Sequence, residues 1–260
     1  MPNVSIVVPV YNQPEVTKQC LESLLAHTYQ GCEILVIDNA SDGPTQSYLK
    51  TLPVRLITND VNRGCAGAWN QGVRLSCHEY ICIVNNDIVV TPGWLEALMN
   101  FFQSHHYSMI SPAMREGELD YDLDQFSRQF QNLWRDVTLR GEFYGVCFLA
   151  HRTLYQEVGL FDENFRFGKF EDEDFYFRMR NQNKEAAVTC TAFIHHFGSR
   201  TIQTLKKTQG DFEEDNRKYF QKKWKKLYLW RKLRKWRLLG HHKQVTGLIN
   251  RTRAFIAGSK

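Results

Sequence analysis

The chain has 260 residues, 43% of them hydrophobic, which allows one substantial core or one core with an appendage. No apolar run approaches the roughly twenty residues that span a bilayer. The net charge of +5 conceals a division: from Lys206 onward 17 Lys and Arg face 4 Asp and Glu, whereas the remainder carries 16 against 24.

An acidic body can host cations and a reaction, and a basic tail can meet something anionic. We therefore divide the chain into a domain at 1–205 and a basic amphipathic helical extension at 206–260. The opening MPNVSIVVPVYNQPE lacks the basic n-region of a signal peptide and reads as a strand. The seven cysteines form an odd set without a CxxC pair, mostly inside apolar stretches. That pattern predicts reduced, buried thiols in a cytosolic protein and argues against a zinc site or disulfide framework.

In chain order, apolar runs rich in β-branched residues predict strands at Val4–Val10, Glu33–Ile37, Val54–Thr58 and Tyr80–Val84. Three- and four-residue apolar spacing predicts helices at 14–27, 44–52, 66–76 and 92–103, the last with Thr91 as N-cap and Pro92 in its first turn. Continuous apolar strands between helices imply an α/β, Rossmann-like, mostly parallel sheet covered on both faces. Past Met114 the pattern loosens, and 115–140 reads as a long loop or short helices. A strand at Phe143–Ala150, a short helix at 151–158, a helix at Asp172–Arg180 and a strand at Ala187–His195 follow. From about Asp211 a basic, aromatic helix pair is expected, broken near Gly240.

Strand one ends in Pro9-Val10-Tyr11-Asn12 without the glycines that a GxGxxG dinucleotide site needs. Strand two ends in Asp38-Asn39-Ala40-Ser41-Asp42. Asp38 can accept from the N3–H of uracil or thymine, or the stretch can simply cap the next helix. Polar Asn85-Asn86-Asp87 follows the fourth strand, at the sheet edge where open α/β folds bind ligands. Asp87 can hold a hard divalent cation, with Asn85 and Asn86 assisting, or the triplet can form an Asx turn.

Glu171-Asp172-Glu173-Asp174 sits among Phe165, Phe167, Phe170, Phe175, Tyr176 and Phe177. Acids favour a helix start, but aromatic wrapping also buries a carboxyl, and a raised pKa suits a general base. His195 and His196 end a strand on opposite faces, so at most one enters a given site.

These pieces resemble glycosyltransferase family 2, the inverting enzymes of the GT-A fold, through SIVVPVYN (5–12), EILVIDNASDG (33–43), NRGCAGAWNQG (62–72), NNDIVVTPGWLEAL (85–98), VGLFDENF (158–165), FEDEDF (170–175) and HHFGS (195–199). The ordered set spans about residues 3 to 205 and is most similar to the bacterial branch that builds surface polysaccharides, including rhamnosyltransferases. The resemblance implies a UDP- or dTDP-sugar donor, a saccharide or lipid-linked acceptor and Mn2+ or Mg2+. It implies that Asp38 meets the base, that Pro9, Tyr11 and Asn12 frame the nucleoside, and that the stretch from Asn62 through Gly64 to Asn70 closes over ribose and diphosphate. Asn85-Asn86-Asp87 stands where the family has DxD, with Asn in place of the first Asp and Asp87 as metal ligand. Asp172 becomes the base, Glu171 and Asp174 orient it or the acceptor, and His196, with His195 as rival, completes the metal shell.

The tail run Tyr219–Arg231 interleaves cations and aromatics. It fits either a helix docked on the body or, with 211–260 as a whole, an interfacial contact with an anionic membrane at the inner face of the cell membrane. No nucleic-acid motif accompanies it. A sugar nucleotidyltransferase would want a glycine- and Lys/Arg-rich loop after strand one, which is lacking. A catalytically inactive membrane scaffold would not need Asp87 and Asp172. Sugar, acceptor and oligomeric state are not encoded in any readable motif.

Overall fold

The computed structural model describes residues 1–198, 205, 210–225 and 242–258. Strands β1 (Val4–Val10), β2 (Glu33–Asp38), β3 (Arg55–Thr58) and β4 (Tyr80–Val84) pair in parallel in the order β3-β2-β1-β4. Helices α1 (Pro14–His27), α2 (Gly43–Leu49) and α3 (Gly64–Leu75) make the crossovers. Alternate side chains of β1 serve opposite cores: Val4, Ile6, Val8 and Val10 enter one cluster and Val7 the other. Both faces are thus covered, as the unbroken apolar runs require.

The parallel arrangement stops at β4. Strand β8 (Cys147–His151) runs antiparallel to β4 and to β6 (Met109–Glu116), and β9 (Ala186–His196) lies parallel to β6. Short strands β5 (Ile88–Val90) and β7 (Thr138–Arg140) pair antiparallel with β9. The stretch 115–140 is also more ordered than expected. It holds the end of β6, then α5 (Leu123–Trp134), capped where the Asp122 carboxylate accepts from the Gln125 N–H at 2.8 Å, and then β7. Phe126 and Phe130 are the buried apolar residues of α5, with Leu123 and Trp134 packed beside them on the same face at helical spacing.

Between β6 and β9 the register slips. Pro112 lies opposite Thr189, but Ala113 lies opposite Phe193, so Cys190, Thr191 and Ala192 bulge out of the β6 ladder. Proline has no N–H for a ladder and is tolerated at such a bulge. The bulge leaves Glu116 opposite His196.

Helix α4 (Trp94–Ser104) begins after Gly93, which is left-handed at φ 75°. Thr91 is therefore not its cap; its hydroxyl donates to the Phe193 carbonyl at 2.8 Å. Helices α6 (Arg152–Val158) and α7 (Glu171–Asn181) lead to the C-terminal α8 (Phe212–Lys223) and α9 (His242–Gly258). Phe220 of α8 packs on Phe165, Phe170 and Phe177. Val245 and Ile249 of α9 enter the other core, and Trp134 of α5 donates to Thr252 at 3.0 Å. Both helices thus share the body's cores. The expected break at Gly240, and the tail run beyond Lys225, lie outside the described residues. Among the described residues no helix is long and apolar enough to cross a membrane.

Candidate functional site

The cleft opens at the C-terminal ends of β1, β2 and β4, lined by Pro9, Tyr11, Asn62, Gly64, Asn85 and Asp87 among others. The Asn85-Asn86-Asp87 turn is held from three sides: Asn85 N–H donates to the Val146 carbonyl at 2.8 Å, Asn86 Nδ2 to Thr17 Oγ1 at 2.8 Å, and Phe197 N–H to the Asp87 carbonyl at 2.9 Å. Two acceptors are left over: Asn85 Oδ1 and Asp87 Oδ1 are buried without hydrogen-bond partners. The Asn86 amide is spent on Thr17, so of the two asparagines Asn85 is the one free to meet a ligand.

His196 Nε2 lies 3.4 Å from Asp87 Oδ2, and His196 Nδ1 lies 3.4 Å from Glu116 Oε2. Burial alone would lower the His196 pKa; the Asp87 and Glu116 carboxylates flanking its ring outweigh that and raise it to about 9. His195 faces the other side, 3.0 Å from the Tyr121 hydroxyl, where burial and Arg115 lower it to about 4. Two cis ligands of a hard octahedral ion with bonds of about 2.1 Å lie about 3 Å apart. The Asp87–His196 spacing and the orphaned Asp87 oxygen therefore fit a divalent cation. Among the described residues no group of three or more His, Cys, Asp and Glu gathers for a metal, so phosphate and water would fill the remaining positions.

The acid pair sits at the start of α7. Burial raises both carboxyls, and the charge of Asp172 helps to carry Glu171 up to about 8. Glu171 Oε2 is buried without a hydrogen-bond partner, and Asp172 Oδ1 accepts from the Glu173 N–H at 2.9 Å. Cys65, in the cleft wall, connects this pair to the Asp87 turn. Burial and then the charges of Glu171, Asp172 and Asp87 hold its thiol well above the ordinary range. Asp172 packs against Gly145, whose neighbour Val146 lines the cleft and accepts from the Asn85 N–H at 2.8 Å, so the acid pair borders the cleft that holds Asp87, 85 positions earlier in the chain.

At the end of β2, Asp38 is 1% exposed; its Oδ1 accepts from Ser41 N–H at 2.9 Å while Oδ2 has no partner. Asn39, which the sequence did not single out, clasps the opposite wall: its amide donates to Asn62 Oδ1 and the Gly64 carbonyl, and its Oδ1 accepts from Arg63 N–H. Gly64 is required twice over, with φ at 73° and its backbone so near Phe167 that a Cβ would sit 3.0 Å from the Phe167 nitrogen.

Three expected site residues work from behind the cleft. Asn12, left-handed at φ 55°, uses its side chain to accept from Asp42 N–H and so clasps the β1–α1 turn to the β2–α2 turn. Asn70 is 1% exposed and bonds both ways with Phe161 and also to Glu163. Asp174 is fully buried and committed to Arg178, Lys223 and Trp224 at 2.8–2.9 Å. Two residues on from Asp172 it points about 200° around the helix, so it anchors α8 to α7. Glu116 joins the site without any local motif to announce it, whereas Cys65 lies inside the NRGCAGAWNQG stretch and Phe167 among the aromatics around the acid cluster.

A family model described as glycosyl transferase family 2 matches residues 5–171. A Rickettsia prowazekii (strain Madrid E) protein described as "uncharacterized glycosyltransferase RP339" is 25% identical over 234 residues, covering 82% of this chain and 70% of its own. The crystal structure of S. aureus TarS 1–349 superposes with a TM-score of 0.60 at 16% identity, covering 75% of this chain and 60% of that one. GalNAc-T7, solved with UDP, GalNAc and Mn2+, superposes with a TM-score of 0.61 at 14% identity, over 85% of this chain and 50% of its own. The chain thus spans part of the solved chains it resembles, and the shared fold is that of GT-A glycosyltransferases.

Proposed function

The chain belongs to glycosyltransferase family 2, and from the arrangement of its cleft we propose that it transfers a hexosyl group, with inversion, from a UDP- or dTDP-sugar to a hydroxyl of a saccharide or lipid-linked acceptor. The observation that carries this reading is that Asp172 packs on Gly145 while the next residue, Val146, lines the same cleft as Asp87 and accepts from the Asn85 N–H. A cation-binding carboxylate and a half-buried base then border one space.

Asp172 takes the proton from the acceptor hydroxyl, whose oxygen bonds to the anomeric carbon as the bond from that carbon to the diphosphate oxygen breaks. Attack from the face opposite the leaving group inverts the anomeric configuration, through an oxocarbenium-like transition state as in glycoside hydrolysis. Burial and the Asp172 charge both raise Glu171, whose Oε2 has no hydrogen-bond partner, while Asp172 Oδ1 accepts from the Glu173 N–H; this supports Asp172 as the charged member of the pair and the base. Asp87 and His196 would hold Mn2+ or Mg2+, which when bound neutralises charge developing on the diphosphate. The unpartnered Asp38 Oδ2 suits a pyrimidine N3–H, and Pro9, Tyr11, Asn62 and Gly64 frame nucleoside and diphosphate. The UDP and Mn2+ held by the fold neighbour GalNAc-T7 are in keeping with this.

The setting we assign is bacterial surface-polysaccharide synthesis at the inner face of the cell membrane, with 211–260 meeting anionic lipid; the basic excess of the tail supports it. The transfer reading is tested by release of UDP or dTDP from a panel of nucleotide hexoses with and without Mn2+ or Mg2+. Metal-independent release, or none from any UDP or dTDP donor, would overturn it.

A further inference from the structure

We propose that Asn216 of α8 is a positioning residue for the transfer, setting the 166–170 loop and through it the approach of Asp172 to the donor-binding turn at 64–65. The inference rests on Asp172 being the base. Asn216 lies beyond the residues matched by the family model and is 2% exposed.

Its Nδ2 donates to the carbonyls of Arg166 at 2.9 Å, Gly168 at 2.8 Å and Lys169 at 3.3 Å, and its Oδ1 accepts from the Arg166 N–H at 2.9 Å. One short amide thus ties four backbone groups of one loop, which calls for two donors and an acceptor on the same stem. The loop needs such a clamp. Phe167, Lys169 and Phe170 sit at φ 57°, 76° and 75°, a region that side-chain-bearing residues rarely adopt and that persists only where the surroundings over-determine it.

The loop's other face meets the cleft. The Phe167 carbonyl accepts from the Cys65 N–H at 3.1 Å, and Phe167 abuts Gly64. The loop ends at Phe170, which caps α7 with no side-chain hydrogen bond, so backbone conformation alone aims the first turn carrying Glu171 and Asp172. Farther along, Trp224 and Lys223 bind Asp174 at 2.8 Å and fix α8 against the same helix. The extension therefore braces the catalytic helix at two points, and Asn216 is the one that reaches the donor turn.

The test uses the full chain. Asn216→Asp keeps size and acceptor but removes both N–H donors, and Asn216→Ala removes everything. Turnover is read as nucleoside diphosphate release from the UDP- or dTDP-hexose on which wild type is fastest, UDP affinity in Mn2+ by calorimetry, and loop order by hydrogen exchange. We expect kcat to fall roughly 10- to 100-fold, as small misplacements of catalytic groups do, with UDP affinity changing less. Exchange should quicken in 64–67 and 171–175 but not in β1 or β4, and Asn216→Asp should add little in an Asp172→Asn background. Quickening confined to 210–224, or a loss that multiplies with that of Asp172→Asn, would overturn the proposal. Wild-type turnover in Asp172→Asn itself would instead remove the base assignment. A crippled Asp172→Asn beside a fully active Asn216→Asp removes only Asn216.

Discussion

Gly145 packs so closely on Asp172 that a Cβ at position 145 would overlap the Asp172 carboxylate. The Gly145 backbone lies outside the left-handed region, so alanine is conformationally acceptable there and only the side-chain contact forbids it. Gly145→Ala should therefore displace the carboxylate and lower kcat by roughly 10²-fold, the cost of about an ångström of misplacement, while melting stays near wild type. Unchanged kcat would mean that the position of Asp172 does not govern turnover.

Asp172→Asn should keep donor affinity and reduce kcat by roughly 10²–10⁴-fold, the usual contribution of a general base. The raised pKa of Asp172 fixes the sign of the pH dependence. The base works when deprotonated, so kcat falls as pH drops through a value above the ordinary carboxylate range, and the asparagine variant loses that acid limb. A pH–rate profile of both proteins checks it.

Chelation with EDTA should abolish turnover, and Asp87→Ala should lose Mn2+ affinity measured directly by calorimetry. Glu116 flanks the imidazole nitrogen remote from Asp87. A carboxylate so placed orients a metal-binding histidine, and losing it typically costs 10–100-fold in metal affinity. Glu116→Ala should show such a loss, and none further once His196→Ala has been made. Equal Mn2+ affinity in Asp87→Ala and wild type would end the metal assignment.

Asp162 anchors α8 through Lys223 and Tyr219. Burial alone would raise its pKa, but those partners and the Asn164 amide outweigh burial and lower it to about 2. A depressed carboxyl contributes stability that is complete above its unfolded value near 4 and is lost as pH falls through the folded value. The melting temperature of wild type should therefore drop between about pH 4 and pH 2 more steeply than that of Asp162→Asn. Parallel curves would show that the pair adds nothing.

The aromatic side chains of Phe220 and Trp224 are taken up by the body. The membrane contact we propose for the extension draws on its cationic residues, such as Lys225, Lys226, Arg231, Lys232, Arg234 and Lys235. Full chain should sediment with anionic vesicles at low salt and detach as salt rises, and glutamine at these six positions should abolish binding. Salt-insensitive sedimentation, or none, would count against the anionic-lipid partner.

Strands β1, β2 and β4, the crossover helices and the sheet edge holding Asp38 and Asp87 were legible because apolar periodicity and the sudden change to polar residues are local features. The middle of the chain was not. Helix α5 carries a helical apolar spacing at Leu123, Phe126, Phe130 and Trp134 that the polarity of the stretch masks, whereas β5 and β7 are three residues each, too short for any period to register. The choice between His195 and His196 also lay beyond the sequence. Alternation places them on opposite faces, but only the β5–β9 pairing, which sets Ile88 opposite His196, decides which face meets Asp87.

By itself, the sequence determined which residues end strands, where acids cluster among aromatics, and therefore which chemistries the chain can support. Only the tertiary structure decided which of those groups meet. A three-residue bulge sets Glu116 against His196, Asp174 turns away to hold Lys223 and Trp224, and Asn216 closes on a loop 50 positions earlier. Local propensity reflects how each residue samples its own backbone and nearest turns. Contacts across tens of residues depend instead on sheet register and helix docking, which burial of the two cores fixes for the whole chain at once.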